Sequence, residues 1–333
     1  MTRPPSPLTM LLSRHTRRRE VITLIGGSVA AWPLAARAQQ GEQMRRIGVL
    51  MAHAESDPEG QANVAAFREG LRKLGWMEGR NLRIDTRWAA ANVESTQRLA
   101  KELVALQPDL ILSANTPTTA ALLQQTRTIA IIFANVSNPV GDGFLASLPR
   151  PGGNTGFTNL ESTMAGKWVE LLKEIAPRVT RVALLFNPGT APGGGSYFLD
   201  PLDAAAASLG VEAIVAPVRN TSELESVVAA QARQPNTGLI VLSDFFMIAH
   251  RVEVTSLATR YRLPAVYPFR MFTELGGLLS YGSDLIDNFR RAASYVDRVL
   301  RGEKPGELPV QRLQDGSSGA RRRLVMVVES KTD

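Results

Sequence analysis

Apolar and polar residues follow two alternating patterns along most of the chain. Short, continuously apolar runs such as RIGVLMA (46–52) and IAIIFANV (129–136) are typical of strands buried on both faces of a parallel sheet. Between such runs, segments such as ANVAAFREGLRKLGW (62–76) place apolar residues at helical spacing, with charged residues opposite. Strands that alternate with helices of this length predict βαβ units in a parallel sheet.

This alternation occurs twice, on either side of a segment rich in proline and glycine, LPRPGGNTGFT (148–158). Such a segment favours a lobe boundary or a hinge. The predicted strands are 46–52, 81–89, 109–114 and 129–136 before the break, and 181–187, 211–217, 238–244, 264–269 and 276–282 after it. The predicted helices are 62–76, 93–106 and 116–126, then 162–176, 200–209, 221–234, 246–262, 268–275 and 283–302. The pattern therefore predicts two doubly wound α/β lobes joined by a hinge.

The N-terminal segment has the pattern of an export signal. Arg17, Arg18 and Arg19 precede a short apolar run, which is followed by the small-residue sequence Ala36-Arg37-Ala38. A membrane anchor is the alternative, but a spanning helix needs about 20 apolar residues, and this run is shorter. We therefore predict that residues 1–38 are a signal peptide cleaved after Ala38, and the arginines are typical of the twin-arginine type.

Removal of this segment changes the charge of the protein. The chain carries a net charge of +7, of which +5 lies in residues 1–38, so the remainder is only +2. The basic isoelectric point is therefore no indication of a nucleic-acid partner. There is no cysteine, which excludes disulfides and thiolate catalysis.

Candidate ligand residues follow the predicted strands, because ligands of open parallel sheets bind beyond the carboxyl ends of the strands. They are mostly short side chains that form hydrogen bonds: His53, Ser56, Asn115, Thr116, Thr118, Ser137, Asn138, Asn187, Asp244, Tyr267 and Tyr281. Thr116-Pro117 has the pattern of a helix start whose N–H groups suit an anion. For each residue taken singly, helix capping is the alternative role.

Taken together, these side chains match an amino-acid-like zwitterion. The helix start near Thr116–Thr118 would take the carboxylate, with Ser137 and Asn138 as further donors. Asp244 is suited to the ammonium group, and Tyr267 or Tyr281 to an apolar side chain. Capping of the following helix is the alternative role for Asp244, and both remain open.

The sequence lacks the motifs that the common enzymatic functions of such a fold require. No P-loop, nucleophile elbow or dinucleotide fingerprint follows a predicted strand. Only two histidines, His53 and His250, follow the predicted signal peptide, so clusters of metal ligands are not indicated. We expect neither catalysis, nor a cofactor, nor a metal. An exported oxidoreductase would need the absent dinucleotide fingerprint.

The most specific stretches of the chain resemble a known family. AAFREGLRKLGWMEGRNLRIDTRWA, SNPVGDGFLASLPRPGGNTGFTN and RLPAVYPFRMFTELGGLLSYGSDL are similar to the substrate-binding proteins of ABC transporters, in the tryptophan/tyrosine-type branch. The resemblance implies the type I periplasmic-binding fold and a monomeric periplasmic receptor that delivers a small solute to a permease. It also implies that residues 45–157 and 283–310 form lobe 1 and that residues 158–282 form lobe 2. A ligand sensor for a membrane signalling protein is the alternative function, since the same fold and site serve both.

The sequence departs from this family in two places. His53-Ala54-Glu55 stands where the family usually has a pair of small hydroxyl or glycine residues. After Gln311 the similarity ends, and residues 311–333 form an atypical tail whose apolar LVMVV shows no strand pattern that fits the fold. We expect at least Gln314–Arg323 to be disordered.

Overall fold

Two α/β lobes make up the protein, in agreement with the predicted fold class. The computed structural model describes residues 44–312 and 327–328. The predicted signal peptide and the segment Gln314–Arg323 lie outside the described residues. Each lobe contains a sheet with five parallel strands.

The sheet of lobe 1 has the strand order β2-β1-β3-β4-β5, and all its strands are parallel. Its strands are β1 (Arg45–Met51), β2 (Leu82–Trp88), β3 (Leu110–Asn115), β4 (Ala130–Val136) and β5 (Asn154–Thr158). β5 was not predicted, because it lies within the segment 148–158 that reads as a break. Gly156 is needed there, since a Cβ at this position would stand 2.0 Å from the carbonyl oxygen of Phe133 in β4.

Three helices follow the strands of lobe 1: α1 (Pro58–Lys73), α2 (Val93–Ala105) and α3 (Thr116–Gln125). α1 begins four residues before the predicted start at residue 62. The reason is local, because Asp57 caps the helix and Pro58 occupies its first position.

The sheet of lobe 2 has the order β11-β10-β9-β8-β6-β7. Its strands are β6 (Arg181–Phe186), β7 (Glu212–Pro217), β8 (Thr237–Val241), β9 (Ala265–Tyr267), β10 (Leu279–Ser280) and β11 (Val327–Val328). The first five are parallel, whereas β11 pairs antiparallel with β10. The expectation that LVMVV contributes no strand is therefore wrong for Val327–Val328.

The helices of lobe 2 are α4 (Met164–Ile175), α5 (Ser196–Ser208), α6 (Thr221–Ala232), α7 (Phe245–Ala249), α8 (Arg251–Arg260) and α9 (Arg270–Thr273). The pattern predicted one helix over 246–262, but the structure has two. His250 separates them with φ −100° and ψ 23°, outside the helical range. This interruption lets α8 begin at Arg251, which faces lobe 1.

The last long helix, α10 (Leu285–Leu300), packs in lobe 1. Phe289, Ala292 and Val296 belong to the same buried cluster as residues of β1 and α1. Its contact with α1 is close, since a Cβ at Gly70 would stand 2.7 Å from the Cβ of Ala293. The chain therefore crosses between the lobes after β5 and again before α10. Among the helices described, none is both long and apolar enough to cross a membrane.

Candidate functional site

The carboxyl ends of the two sheets face each other and enclose a small cavity of about 30 Å³, here called the inner cavity. From lobe 1 and the crossover it is lined by Asn115, Thr116, Pro117, Asn135, Ser137 and Asn159. From lobe 2 it is lined by Thr190, Pro192, Ser243, Asp244, Phe245 and Ile248. Of the predicted ligand residues, the structure brings four together here: Asn115, Thr116, Ser137 and Asp244.

The start of α3 forms part of the lobe 1 wall, but it offers few free donors. Asn115 and Thr118 form a reciprocal capping box, in which the Thr118 N–H donates to Asn115 Oδ1 over 3.2 Å and the Asn115 N–H donates to Thr118 Oγ1 over 3.0 Å. Pro117 has no N–H. Of the first three helical positions, only Thr116 can therefore offer an N–H to a solute. The prediction of several free N–H groups for an anion is wrong on this point.

Thr118 itself lies inside lobe 1, since none of its surface is exposed. Its hydroxyl lies 2.7 Å from that of Ser113. Thr118 shapes the helix start and does not line the cavity.

Ser137 and Asn159 link β4 to the first crossover. The Ser137 hydroxyl donates to Asn159 Oδ1 over 2.8 Å, and the Ser283 hydroxyl of the second crossover donates to the carbonyl oxygen of Asn159 over 2.6 Å. Asn138 does not line the cavity, because its Oδ1 accepts the Gly141 N–H within the same loop. These side chains hold the crossovers in place at the floor of the cavity.

Asp244 is the central polar residue of the lobe 2 wall, and both its carboxylate oxygens are already bonded. Oδ1 accepts from the Met247 N–H and the Thr190 hydroxyl, each over 2.9 Å, and Oδ2 accepts from the Asn187 N–H over 3.0 Å. Burial raises the pKa of this carboxyl to about 6, although these hydrogen bonds act to lower it. Asp244 is the N-cap of α7, so the structure supports the capping alternative.

Asn187 also serves its own loop and lies outside the cavity. Its Nδ2 donates to the carbonyl oxygen of Arg219 over 3.0 Å, and its Oδ1 accepts the Gly189 N–H over 2.7 Å. These two bonds shape the turn that carries Thr190 to the cavity.

The two predicted aromatic residues lie elsewhere. Tyr267 is 1% exposed and stacks on Phe272 within the core of lobe 2, with ring centroids 5.0 Å apart, and burial raises the pKa of its phenol. Tyr281 packs against the same core, and its carbonyl oxygen accepts the indole N–H of Trp168 over 2.7 Å. Strand alternation turns the Tyr267 ring to the helical layer of the lobe, so neither tyrosine lines the inner cavity.

His53 lies between the lobes, beside the inner cavity. Its ring meets Phe245 of lobe 2 edge to face, with centroids 5.8 Å apart. Burial lowers the pKa of this imidazole, although the nearby charge of Asp57 acts to raise it. Its Nδ1 is buried and has no hydrogen-bond partner among the described residues. Ser56, in the same loop, is exposed.

Two further contacts join the lobes. Asp57 of lobe 1 forms an ion pair with Arg251 of lobe 2, with Nη2 and Oδ2 3.0 Å apart. Asp142 of lobe 1 accepts the backbone N–H of Gly193 in lobe 2, while its Oδ2 is buried without a partner among the described residues. Burial raises the pKa of Asp142 to about 6. With a cavity of about 30 Å³ between them, the lobes are in a closed arrangement.

A larger space of about 250 Å³, here called the outer cavity, lies between α1, α9 and the second crossover. Its charged lining residues are Glu59, Arg270, Glu274 and Asp284, and Phe269, Met271 and Ile286 supply apolar surface. Burial and the neighbouring carboxylates raise the pKa of Glu59. No group of His, Asp or Glu side chains among residues 44–312 is arranged to hold a metal ion.

Sequence reasoning missed several cavity residues. Asn159 was not predicted because β5, which ends just before it, lies in the segment that the pattern indicates as a lobe boundary. Thr190, Pro192, Phe245 and Ile248 lie in turns and a short helix rather than directly at strand ends. The ends of β5 and β8 were the available signal, since Asn159 and Ser243 stand just beyond them.

A scan against family models matches residues 49–319 to the family described as ABC transporter substrate binding protein. The match extends past Gln311, where the similarity was expected to end. A curated relative, the tyrosine-binding protein of Clostridioides difficile, is 25% identical over 276 residues, which cover 82% of this chain and 78% of the relative.

Solved structures share the fold. A conserved domain protein from Vibrio cholerae O1 biovar El Tor superposes with a TM-score of 0.77 at 27% identity, covering 86% of this chain and 92% of the other. The ABC domain from Streptococcus pneumoniae in complex with L-Trp gives a TM-score of 0.74 at 24% identity, covering 81% and 89% of the two chains.

Proposed function

Because the chain belongs to the ABC transporter substrate-binding protein family, we propose that it is a monomeric periplasmic receptor that delivers a small solute to an ABC permease. The observation that carries the proposal is the inner cavity, enclosed by the carboxyl ends of both sheets. Ligands of open α/β sheets bind at this position.

The two crossovers supply the motion that capture requires. Lobes joined by short segments close around a ligand by rotation about those segments. In the proposed domain organisation, residues 45–157 and 283–310 form lobe 1 and residues 158–282 form lobe 2. A cavity of about 30 Å³ is too small for an amino acid, so such a solute enters only when the lobes separate.

We propose an amino-acid-like or carboxylate solute. The names of two relatives support this class, since one is a tyrosine-binding protein and the other is complexed with L-Trp. In this chain, Thr116 and Ser243 line the inner cavity from opposite lobes. Neither hydroxyl makes a hydrogen bond within residues 44–312, so both are available to a polar solute. Asn115 and Ser137 remain proposed contacts beside them.

Isothermal titration calorimetry tests this proposal on the processed protein, with L-tyrosine, L-tryptophan, the other common L-amino acids and simple carboxylates. We expect saturable binding by at least one member of these classes, and a weaker interaction after Thr116→Val or Ser243→Ala. Binding of a sugar or polyol alone, with no response to any amino acid or carboxylate at millimolar concentration, would overturn the solute class.

Export through a twin-arginine signal is part of the same proposal. Lysine keeps the charge but not the paired guanidinium groups, so Arg18→Lys with Arg19→Lys should leave unprocessed precursor in the cytoplasm. Cell fractionation and N-terminal sequencing measure this outcome. Normal export and cleavage of the double variant would contradict it.

A further inference from the structure

Asp57 and Arg251 form an ion pair between the lobes that lies outside the inner cavity. Asp57 stands in the loop after β1 in lobe 1, and Arg251 is the first residue of α8 in lobe 2. Only 17% of the Asp57 side chain and 13% of the Arg251 side chain are exposed. The pair is therefore less screened by solvent than an ordinary surface salt bridge.

Each partner is held in place by its own lobe. Asp57 Oδ1 accepts from the N–H groups of Glu59 and Gly60 over 2.9 and 3.3 Å, which caps α1, and Oδ2 remains for Arg251. Arg251 Nη1 donates to the carbonyl oxygen of Ile248 over 3.1 Å, which directs Nη2 toward lobe 1. Because both groups are already oriented, little conformational freedom is lost when the lobes meet.

The surroundings of the pair limit its contact with water. Next to Asp57, the ring of His53 meets Phe245 of lobe 2. Burial acts to raise the pKa of Asp57, but the neighbouring His53 and Arg251 together outweigh it and lower this pKa, so the carboxylate is ionised at neutral pH. Other carboxylates, such as that of Glu59, also face Arg251. They are farther from Arg251 than Asp57 is, and they make no hydrogen bond to Arg251 among the described residues.

We propose that Asp57 and Arg251 form a latch that holds the lobes closed without touching the solute. This inference rests on the proposed function, because the latch acts on the closing motion of the receptor. The apparent affinity for a solute equals the intrinsic affinity of the closed form multiplied by the fraction of protein that can adopt it. Two residues that do not line the inner cavity therefore set part of the affinity for the solute, and closure does not depend on the solute alone.

The test measures the distance between the lobes in protein without solute. The chain has no cysteine, so Lys101→Cys in α2 and Ala230→Cys in α6 accept spin labels at two exposed positions in different lobes. Double electron–electron resonance then gives the distance distribution, and small-angle X-ray scattering gives the radius of gyration.

The variants are Asp57→Asn, Arg251→Gln and the two combined. Asparagine is as good an N-cap as aspartate, so Asp57→Asn removes the charge while α1 stays capped. The matched control is Arg260→Gln, which removes an exposed ion pair with Glu225 inside lobe 2. We expect each latch variant to shift the distance distribution toward separated lobes, and the double variant to shift it no further than the single variants do. The control should have the same distribution as the wild type.

Calorimetry with L-tyrosine and L-tryptophan supplies the second readout. For whichever of them binds, we expect the affinity to fall roughly tenfold in each single variant. In the double variant, the fold-loss of affinity should be smaller than the product of the two single fold-losses. The latch is overturned if both single variants have the same distance distribution as the wild type. This includes the case in which the wild type without solute is already open. If neither amino acid binds, the amino acid or carboxylate that binds in the broader titration takes their place, and the solute class fails only if none binds; in either case the distance measurement decides the latch.

Discussion

At the residue scale, most polar side chains around the inner cavity are already hydrogen-bonded within their own lobe. Asn115 caps α3, Asp244 caps α7 and Ser137 is bonded to Asn159. A buried polar group that has its partners gains little from a solute, and losing one of those partners is costly. We therefore expect discrimination between solutes to depend on the groups that find no hydrogen-bond partner among the described residues, and on the apolar surface around them. These groups are the hydroxyls of Thr116 and Ser243 and the Nδ2 groups of Asn115 and Asn159.

Asp244→Asn separates a structural role from a ligand role. The Nδ2 that replaces one oxygen would face the donor of Asn187, Thr190 or Met247, so we expect the free energy of unfolding to fall by about 1–3 kcal/mol. Affinity for a bound amino acid should change less than tenfold, because the carboxylate serves its own lobe. Chemical denaturation and calorimetry measure the two effects. A loss of affinity of about 2–5 kcal/mol with unchanged stability would instead show that Asp244 pairs with an ammonium group.

Asp142→Asn tests the buried carboxylate opposite Gly193. Its pKa is raised from 3.8 to about 6, so the ionised form destabilises the folded, closed protein. This destabilisation is absent below pH 4, increases as the pH rises from about 4 to 6, and is complete above that range. We expect the variant to be more stable than the wild type at pH 7, by about 1 kcal/mol after allowing for solvent around this half-buried group, and equal to it at pH 4.

Denaturation curves at both pH values measure this difference. The amide side chain introduced by Asp142→Asn keeps an oxygen for the Gly193 N–H, so the comparison isolates the charge. Asp203→Asn, on α5, is the control for a general effect of removing one negative charge. An Asp142→Asn variant that is no more stable than the wild type at pH 7 would contradict the argument.

At the scale of elements, the sequence pattern predicts most helices and strands, and its errors have local causes. β5 was not predicted because the prolines and glycines of the segment 148–158 are typical of a break, whereas Gly156 within it allows close contact with β4. The predicted helix 246–262 is divided at His250, a backbone distortion that periodicity does not reveal. The strand-end rule places Asn115, Thr116, Ser137 and Asp244 at the cavity. It does not show which of them already have partners, because this depends on distances between residues far apart in sequence.

Asn115→Ala tests what the cap of α3 contributes. Loss of an N-cap costs about 1 kcal/mol of stability, and here it also frees the Thr118 N–H, which Asn115 now accepts at the start of α3. We expect a lower melting temperature together with a changed affinity for a carboxylate-bearing solute. Asn220→Ala is the matched control, since Asn220 caps α6 in the same way, through the Glu223 N–H, away from the cavity.

Both variants should lose similar stability, and only Asn115→Ala should alter binding. Thermal unfolding followed by calorimetry distinguishes the two effects. Equal changes of affinity in both variants would mean that the effect arises from general destabilisation and not from the donors of α3.

At the scale of the whole molecule, the two lobes are coupled through the crossovers as well as through the cleft. Asn288 of α10 donates to Asn135 Oδ1 and to the carbonyl oxygen of Thr158, which ties the returning helix to the end of the first crossover. Trp168 of lobe 2 donates to the carbonyl oxygen of Tyr281, just before the second crossover. These bonds fix both crossovers at their ends, so we expect the proposed opening to occur in the few residues between them.

Ser283→Ala tests whether the two crossovers move as one unit. The Ser283 hydroxyl donates to the carbonyl oxygen of Asn159 over 2.6 Å and is the side-chain bond that joins the crossovers directly. Its removal should cost about 1 kcal/mol and increase hydrogen exchange in residues 158–162 and 280–284. Ser294→Ala is the control, because that exposed hydroxyl bonds only to the carbonyl oxygen of Arg291 within α10. Exchange in both crossover segments equal to that of the wild type would show that the crossovers move independently, and closure would then be governed by the contacts across the cleft alone.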